Sequence, residues 1–71
     1  MKTVVITTEF IKLQDLLKFS SLVSTGGEAK LVILDGEVRV NGEVCTQRGR
    51  KLRPGDNVEF RGEGLTIAYE N

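Results

Sequence analysis

The sequence predicts an α+β domain in which two short helices pack on a small, mainly antiparallel sheet. Three observations predict it. Apolar spacing changes from a β-branched run to i, i+3, i+4 at Leu13, and β-rich sequence resumes at Val38. An Asn41-Gly42 pair between β-rich flanks marks a two-residue hairpin. The chain then offers two further extended runs separated by Gly-rich turns, so the order is strand, helix, helix, hairpin, hairpin.

Thr3 to Thr7 is β-branched throughout and reads as the first strand, with Phe10 and Ile11 as a short extended lead-in. Leu13, Leu16 and Leu17 form one face of a first helix over about 13–20, with Asp15 in its first turn, where a negative charge suits the helix dipole. A polar turn through Ser20-Ser21 leads to Thr25-x-x-Glu28, a capping box in which the Thr oxygen accepts from the N3 amide while Glu28 reaches back to the cap. Ala29, Val32 and Ile33 supply the buried stripe of the second helix, and Gly36 stops it. The Asn41-Gly42 turn places Val40 opposite Glu43 and Val38 opposite Cys45. Thr46 to Arg50 is loop, Arg53-Pro54-Gly55-Asp56 fits a type II turn, Val58 and Phe60 alternate, and Gly62-Glu63-Gly64 turns the chain into Leu65–Tyr69.

Seventy-one residues, 39% of them apolar and 28% charged, are expected to form one domain over 1–71 with a two-layer core. The longest apolar runs, Val4–Ile6 and Leu31–Leu34, fall far short of the roughly 18 residues of a membrane span. The N-terminal stretch lacks the apolar region of a secretory signal, and Cys45, the lone cysteine, suits a reducing compartment. A soluble, cytoplasmic, monomeric protein is expected. With no histidine, the chain lacks His-based triads and the usual neutral-pH proton shuttle, and one cysteine cannot build a structural zinc site. Neither an enzymatic role nor a cofactor is expected.

Ten basic and ten acidic residues cancel overall, but not locally. Residues 44–55 hold Arg48, Arg50, Lys51 and Arg53 with no acid, a patch of +4 on an otherwise mildly acidic body. Four cations in six residues repel one another and call for a reason, and guanidinium forks suit bidentate phosphate contacts. Gly26 and Gly27 leave backbone amides uncovered at the start of the second helix beside Ser24 and Thr25, an arrangement suited to an anion, with Lys30 one turn in. Lys12 and Lys18 bracket the first helix. Taken singly, the Gly pair is an ordinary turn and each lysine an ordinary solvated helix residue; Cys45 reads as buried and inert.

The run Leu13-x-x-Leu16-Leu17-Lys18, then Ser24-x-Gly26-Gly27-Glu28-Ala29-Lys30, then Gly36-x-Val38-x-Val40-Asn41-Gly42-Glu43, then Arg48-x-Arg50-Lys51-Leu52-x-x-Gly55-Asp56 resembles the RNA-binding domain named after the fourth ribosomal small-subunit protein, also called the alpha-L motif. The likeness is greatest to its small stand-alone bacterial members of the YaaA and YbcJ type, and it covers about residues 11–58 in order and spacing. It implies that the two helices and the hairpin form an L-shaped surface holding structured RNA, often ribosomal. The contacts it implies are Lys18, Ser24, Gly27, Lys30, Arg48, Arg50 and Lys51, with Lys12 and Arg53 at the margin. Two departures stand out. Lys12 stands where relatives commonly carry Thr, which weakens the cap of the first helix. Cys45-Thr46-Gln47-Arg48 stands where they carry an acidic residue and two adjacent arginines, which leaves the phosphate path along this loop open.

The expected function is therefore non-catalytic recognition of structured RNA, ribosomal RNA or ribosomal subunits, through backbone phosphates. Only Phe10, Phe19, Phe60 and Tyr69 are aromatic, and the strand patterns of Phe60 and Tyr69 suit core packing, so base stacking is poorly supplied. A protein-docking module acting on a larger enzyme or ribosome-associated factor is the alternative, favoured by zero net charge. A ubiquitin-like sulfur carrier shares the Val40–Glu43 and Gly55–Val58 patterns, but the chain ends in Tyr69-Glu70-Asn71 rather than Gly-Gly, which weighs against it.

Overall fold

The computed structural model describes residues 2–70. The elements in chain order are β1 (Lys2–Ile6), β2 (Ile11–Lys12), α1 (Leu13–Phe19), α2 (Gly26–Leu34), β3 (Val38–Val40), β4 (Glu43–Val44), β5 (Lys51–Leu52), β6 (Asn57–Phe60) and β7 (Glu63–Tyr69). Five strands form one sheet in the order β1-β7-β6-β3-β4, and β2 pairs with β5 in a separate two-stranded ribbon. All pairs are antiparallel except β1 with β7. The two helices share one apolar core with the sheet.

Alternation decides which sheet face the helices cover. Val4 and Ile6 are buried while Thr3 and Val5 are exposed. Leu65, Val58 and Val40 line up in register across three neighbouring strands, each buried. Above them lie Leu13, Leu16 and Leu17 of α1 and Ala29, Val32 and Ile33 of α2. With seven residues, α1 is well below the roughly 12–15 an isolated helix needs in water, so packing must sustain it. Its three leucines are wholly buried, and truncating any one to Ala is worth about 2–5 kcal/mol.

Both helices end in the same way. After α1, Leu22 N–H donates to the Leu17 carbonyl and Ser21 N–H to that of Lys18; after α2, Glu37 and Gly36 donate to Val32 and Ile33. Each is a Schellman stop, which needs a left-handed residue just past the helix. Gly36 fills that place at φ 77°, but Ser21 adopts it at φ 61° despite its Cβ. Leu22 then folds back against the core.

The expected hairpin register holds: Val40 pairs with Glu43, and Cys45 N–H donates to the Val38 carbonyl. Asn41 and Gly42 have φ 52° and 85°, the doubly left-handed turn that this residue pair suits. Gly55 at φ 97° and the Asp56 N–H to Arg53 carbonyl bond complete the type II turn. Three expectations need correction. The second hairpin turns on Arg61-Gly62 (φ 48° and 82°) rather than on Gly62-Glu63-Gly64, because Phe60 pairs directly with Glu63 and leaves two residues for the turn. Tyr69, expected in the core, is 51% exposed, since it stands opposite Ile6 where both strands end. Glu28 reaches back to the Ser24 N–H, one residue before the Thr25 cap.

Replacing Ser21 with Gly removes the left-handed strain and is expected to stabilise the fold by about 0.5–1 kcal/mol, raising Tm by roughly 2–8 °C. Gly36→Ala is expected to lower Tm, because at φ 77° a Cβ is strained even though it would meet Val44 Cγ1 only at an ordinary contact distance of 3.5 Å. Thermal melts of the two variants beside the parent check both signs.

Candidate nucleic-acid interface

The start of α1 lacks a side-chain cap, as Lys12 at the N-cap position implies. Its free amides are met from elsewhere in the chain. Leu13 N–H donates to the Arg50 carbonyl at 2.9 Å and Gln14 N–H to the Arg48 carbonyl at 3.1 Å. The β2–β5 ribbon continues this contact, pairing Ile11 with Leu52 and Lys12 with Lys51. Buried Cys45 and Leu52 anchor the loop at its two ends, while residues 46–51 stay exposed. The loop thus turns carbonyls of its arginines onto the helix and leaves Arg48, Arg50, Lys51 and Arg53 in solvent.

This docking adds Lys12 to the same cluster. Lys12 and Lys51 stand directly opposite each other, an arrangement that opposes folding by roughly 0.2–1 kcal/mol. Among the described residues, the ion pair within 4 Å is Arg61 with Glu37, so none of these cations is neutralised by direct pairing. Lys51 Nζ lies 5.0 Å from the centre of the Phe10 ring, which steadies its stem and leaves its charge uncancelled.

Asp56 is the carboxylate that borders the loop. Its Oδ2 accepts from the Arg53 N–H at 2.8 Å and its Oδ1 from Asn41 Nδ2 at 3.1 Å. Asn41 Oδ1 in turn accepts from the Asn57 N–H, tying the hairpin turn to the Arg53–Asp56 turn. The Arg53 N–H above all, then the Asn41 amide and the charges of Arg50 and Arg53, hold the Asp56 carboxyl below the usual carboxylate range, against an opposing push from partial burial.

The second part of the site is the start of α2. Thr25 Oγ1 accepts from the Glu28 N–H at 3.1 Å, while Glu28 Oε1 accepts from the Ser24 N–H. Gly26 and Gly27 are the first two helical residues, not a turn. Neither has a positive φ, and an added Cβ would meet nothing within 4 Å at Gly26 and only Thr25 Oγ1, at 3.9 Å, at Gly27. Neither backbone conformation nor packing requires glycine at these positions. What the missing side chains do is leave two helix amides open, without an acceptor among the described residues. Ser24 and Lys30 flank them, both exposed.

The sequence-predicted residues therefore fall into two groups. Lys12, Arg48, Arg50 and Lys51 gather at the start of α1, with Arg53 just beyond. Ser24, Gly27 and Lys30 gather at the start of α2. Lys18, in the last turn of α1, is exposed at the helix end to which the chain returns, since Leu22 and Val23 both donate to the Leu17 carbonyl just before α2 begins. The first group stands at one end of α1, a helix about 10 Å long, and Lys18 at the other. Sequence reasoning missed the backbone clamp between the loop and α1, which no side chain announces, and the exposure of Phe19 at 66%.

A family model described as the S4 domain matches residues 4–68. The probable ribosome maturation protein RlbA of Bacillus subtilis is 46% identical over 59 residues, covering 83% of each chain. YbcJ of Escherichia coli is 35% identical over 57 residues, covering 80% of this chain and 81% of its own. The solution structure of YbcJ, reported to reveal an alpha-L motif involved in RNA binding, matches with a TM-score of 0.73 at 32% identity, over 96% of this chain and 87% of that one. The 30S ribosomal protein S4e of Thermoplasma acidophilum shares the fold, with a TM-score of 0.67 at 22% identity, over 90% of this chain and 34% of that one. No helix among the described residues is long and apolar enough to cross a membrane.

Because folding lowers the Asp56 pKa, the stability this group contributes is complete above about pH 5 and is lost as the pH falls through the lowered value. Tm of the parent is expected to drop more steeply between about pH 5 and pH 2 than Tm of Asp56→Asn, the two curves converging at the acid end. Melts across that range check the sign.

Proposed function

The chain belongs to the S4 domain family, and from that premise we propose that it is a non-catalytic cytoplasmic protein that binds structured RNA, ribosomal RNA above all, by gripping its phosphate backbone as a monomer. The observation that carries the reading is the unpaired cationic cluster at the start of α1, built by docking an Arg-rich loop through its carbonyls. A cluster that opposes folding is retained where a polyanion offsets it. The open amides of Gly26 and Gly27, with Lys18 and Lys30, add a second phosphate contact. The ribosome maturation role in the name of RlbA favours ribosomal RNA as the target.

About four to six phosphate contacts give an expected slope of log affinity against log salt on the order of −3 to −5. Reversing Arg50 and Lys51 to Glu together removes two of them. The slope is then expected to shrink by about 2, with affinity at low salt falling at least roughly tenfold. The fold should survive, because the loop holds α1 through backbone carbonyls that the substitutions leave in place.

One observation favours a second reading, protein docking: Leu31 and Leu34 on α2 are 64% and 54% exposed. Binding of purified protein to structured ribosomal RNA fragments across a salt series, beside the double variant checked by circular dichroism, separates the two. A steep slope lost in the folded variant supports the RNA site. Equal binding by both proteins, or by neither, contradicts it and leaves docking as the better account.

A further inference from the structure

We propose that Phe19 is a stacking platform for an unpaired base, so that the RNA this site takes is a stem interrupted by a bulge, loop or junction rather than a continuous duplex. The proposal rests on the RNA-binding reading above and narrows its substrate. On α1, Leu13, Leu16 and Leu17 are wholly buried, whereas Phe19 is 66% exposed. The chain's two other phenylalanines each carry a cation over the ring, Lys51 on Phe10 and Arg61 on Phe60. No such contact covers Phe19 among the described residues.

Its position supplies the argument for a nucleotide. Lys18 immediately precedes it, and the helix ends there. Val23 N–H donates to the Leu17 carbonyl, which returns the chain to that end of α1, and Gly26 follows within three residues, at most about 11 Å of chain. The end of α1 that carries Lys18 and Phe19 is therefore followed, within that reach of chain, by the open amides of Gly26 and Gly27. The proposed contact sets an RNA phosphate at these amides and an unpaired base on the ring. An apolar protein surface covering Phe19 would instead bury Lys18 and those amides without acceptors, a cost a nucleotide avoids. Bases inside a continuous duplex already stack on one another, so only an unpaired base offers a free π-face.

The test uses two RNA hairpins with the same stem, one fully paired and one carrying a single bulged 2-aminopurine, and three proteins: the parent, Phe19→Leu and Phe19→Trp. Leu keeps an apolar side chain and removes the ring; Trp enlarges it and, in a chain with no native tryptophan, reports on its own contact. The parent is expected to bind the bulged hairpin roughly 5- to 150-fold more tightly than the paired one and to quench the 2-aminopurine. Phe19→Leu should lose that preference, its two affinities becoming equal, and Phe19→Trp should keep it, its own fluorescence responding more strongly to the bulged RNA than to the paired one. Equal affinity of the parent for both hairpins, or a preference that survives in Phe19→Leu, overturns the stacking role and leaves phosphate binding standing. Failure of the parent to bind either hairpin at low salt overturns the RNA reading itself.

Discussion

Two backbone hydrogen bonds, from Leu13 and Gln14 of α1 to the Arg50 and Arg48 carbonyls, tie the first helix to the Arg-rich loop. A seven-residue helix has almost no intrahelical ladder, and every amide of its first turn needs a partner or water. Elsewhere such partners are capping side chains. Here they are carbonyls of a loop some 35 positions further along the chain, so the same contact that completes the helix fixes the loop's path. Stability and site are thereby coupled at one place, with buried Leu52 as the apolar anchor beneath it.

That coupling explains how a chain of zero net charge presents a concentrated positive surface. The loop's carbonyls are consumed inward, and its side chains are left outward. The repulsion among them is moderated by Asp56, which the Arg53 amide and Asn41 hold in its charged form beside the turn. Asp56 lies at the border of the cluster and is engaged by the turn, so it softens the field without occupying the exposed guanidinium groups. At the other end of α1, charge is supplied differently, by helix amides that two glycines leave uncovered.

Much of this was legible in the sequence because it rests on local signals. Asn41-Gly42, Pro54-Gly55 and Thr25-x-x-Glu28 each encode a backbone conformation within four residues, and the structure follows all three, with Glu28 shifted by one partner. The leucine and valine stripes of the helices named their own buried faces. What escaped was non-local or silent. The parallel pairing of β1 with β7 joins the two ends of the chain and leaves no signature in either strand. The clamp on α1 uses main-chain atoms common to every residue. The second hairpin turn was misplaced because Gly62 and Gly64 both look like turn residues, and only cross-strand pairing of Phe60 with Glu63 decides between them. Alternation put Tyr69 on the core face but could not show that the sheet ends there. The basic and small residues proposed for the site stand out in the sequence by type, and the grouping of Lys12 with Arg48, Arg50 and Lys51 does not, since it depends on that clamp.

The most direct test of the central claim, that the docked loop and the start of α2 form one RNA surface across α1, is an NMR titration of isotope-labelled protein with a structured RNA fragment at low salt. The account predicts amide shift changes at Lys12–Gln14, Lys18–Phe19, Ser24–Lys30 and Arg48–Arg53, with the open sheet face at Thr3, Val5, Arg39 and Glu59 unmoved. Changes confined to that sheet face, or to one end of α1 alone, would contradict it.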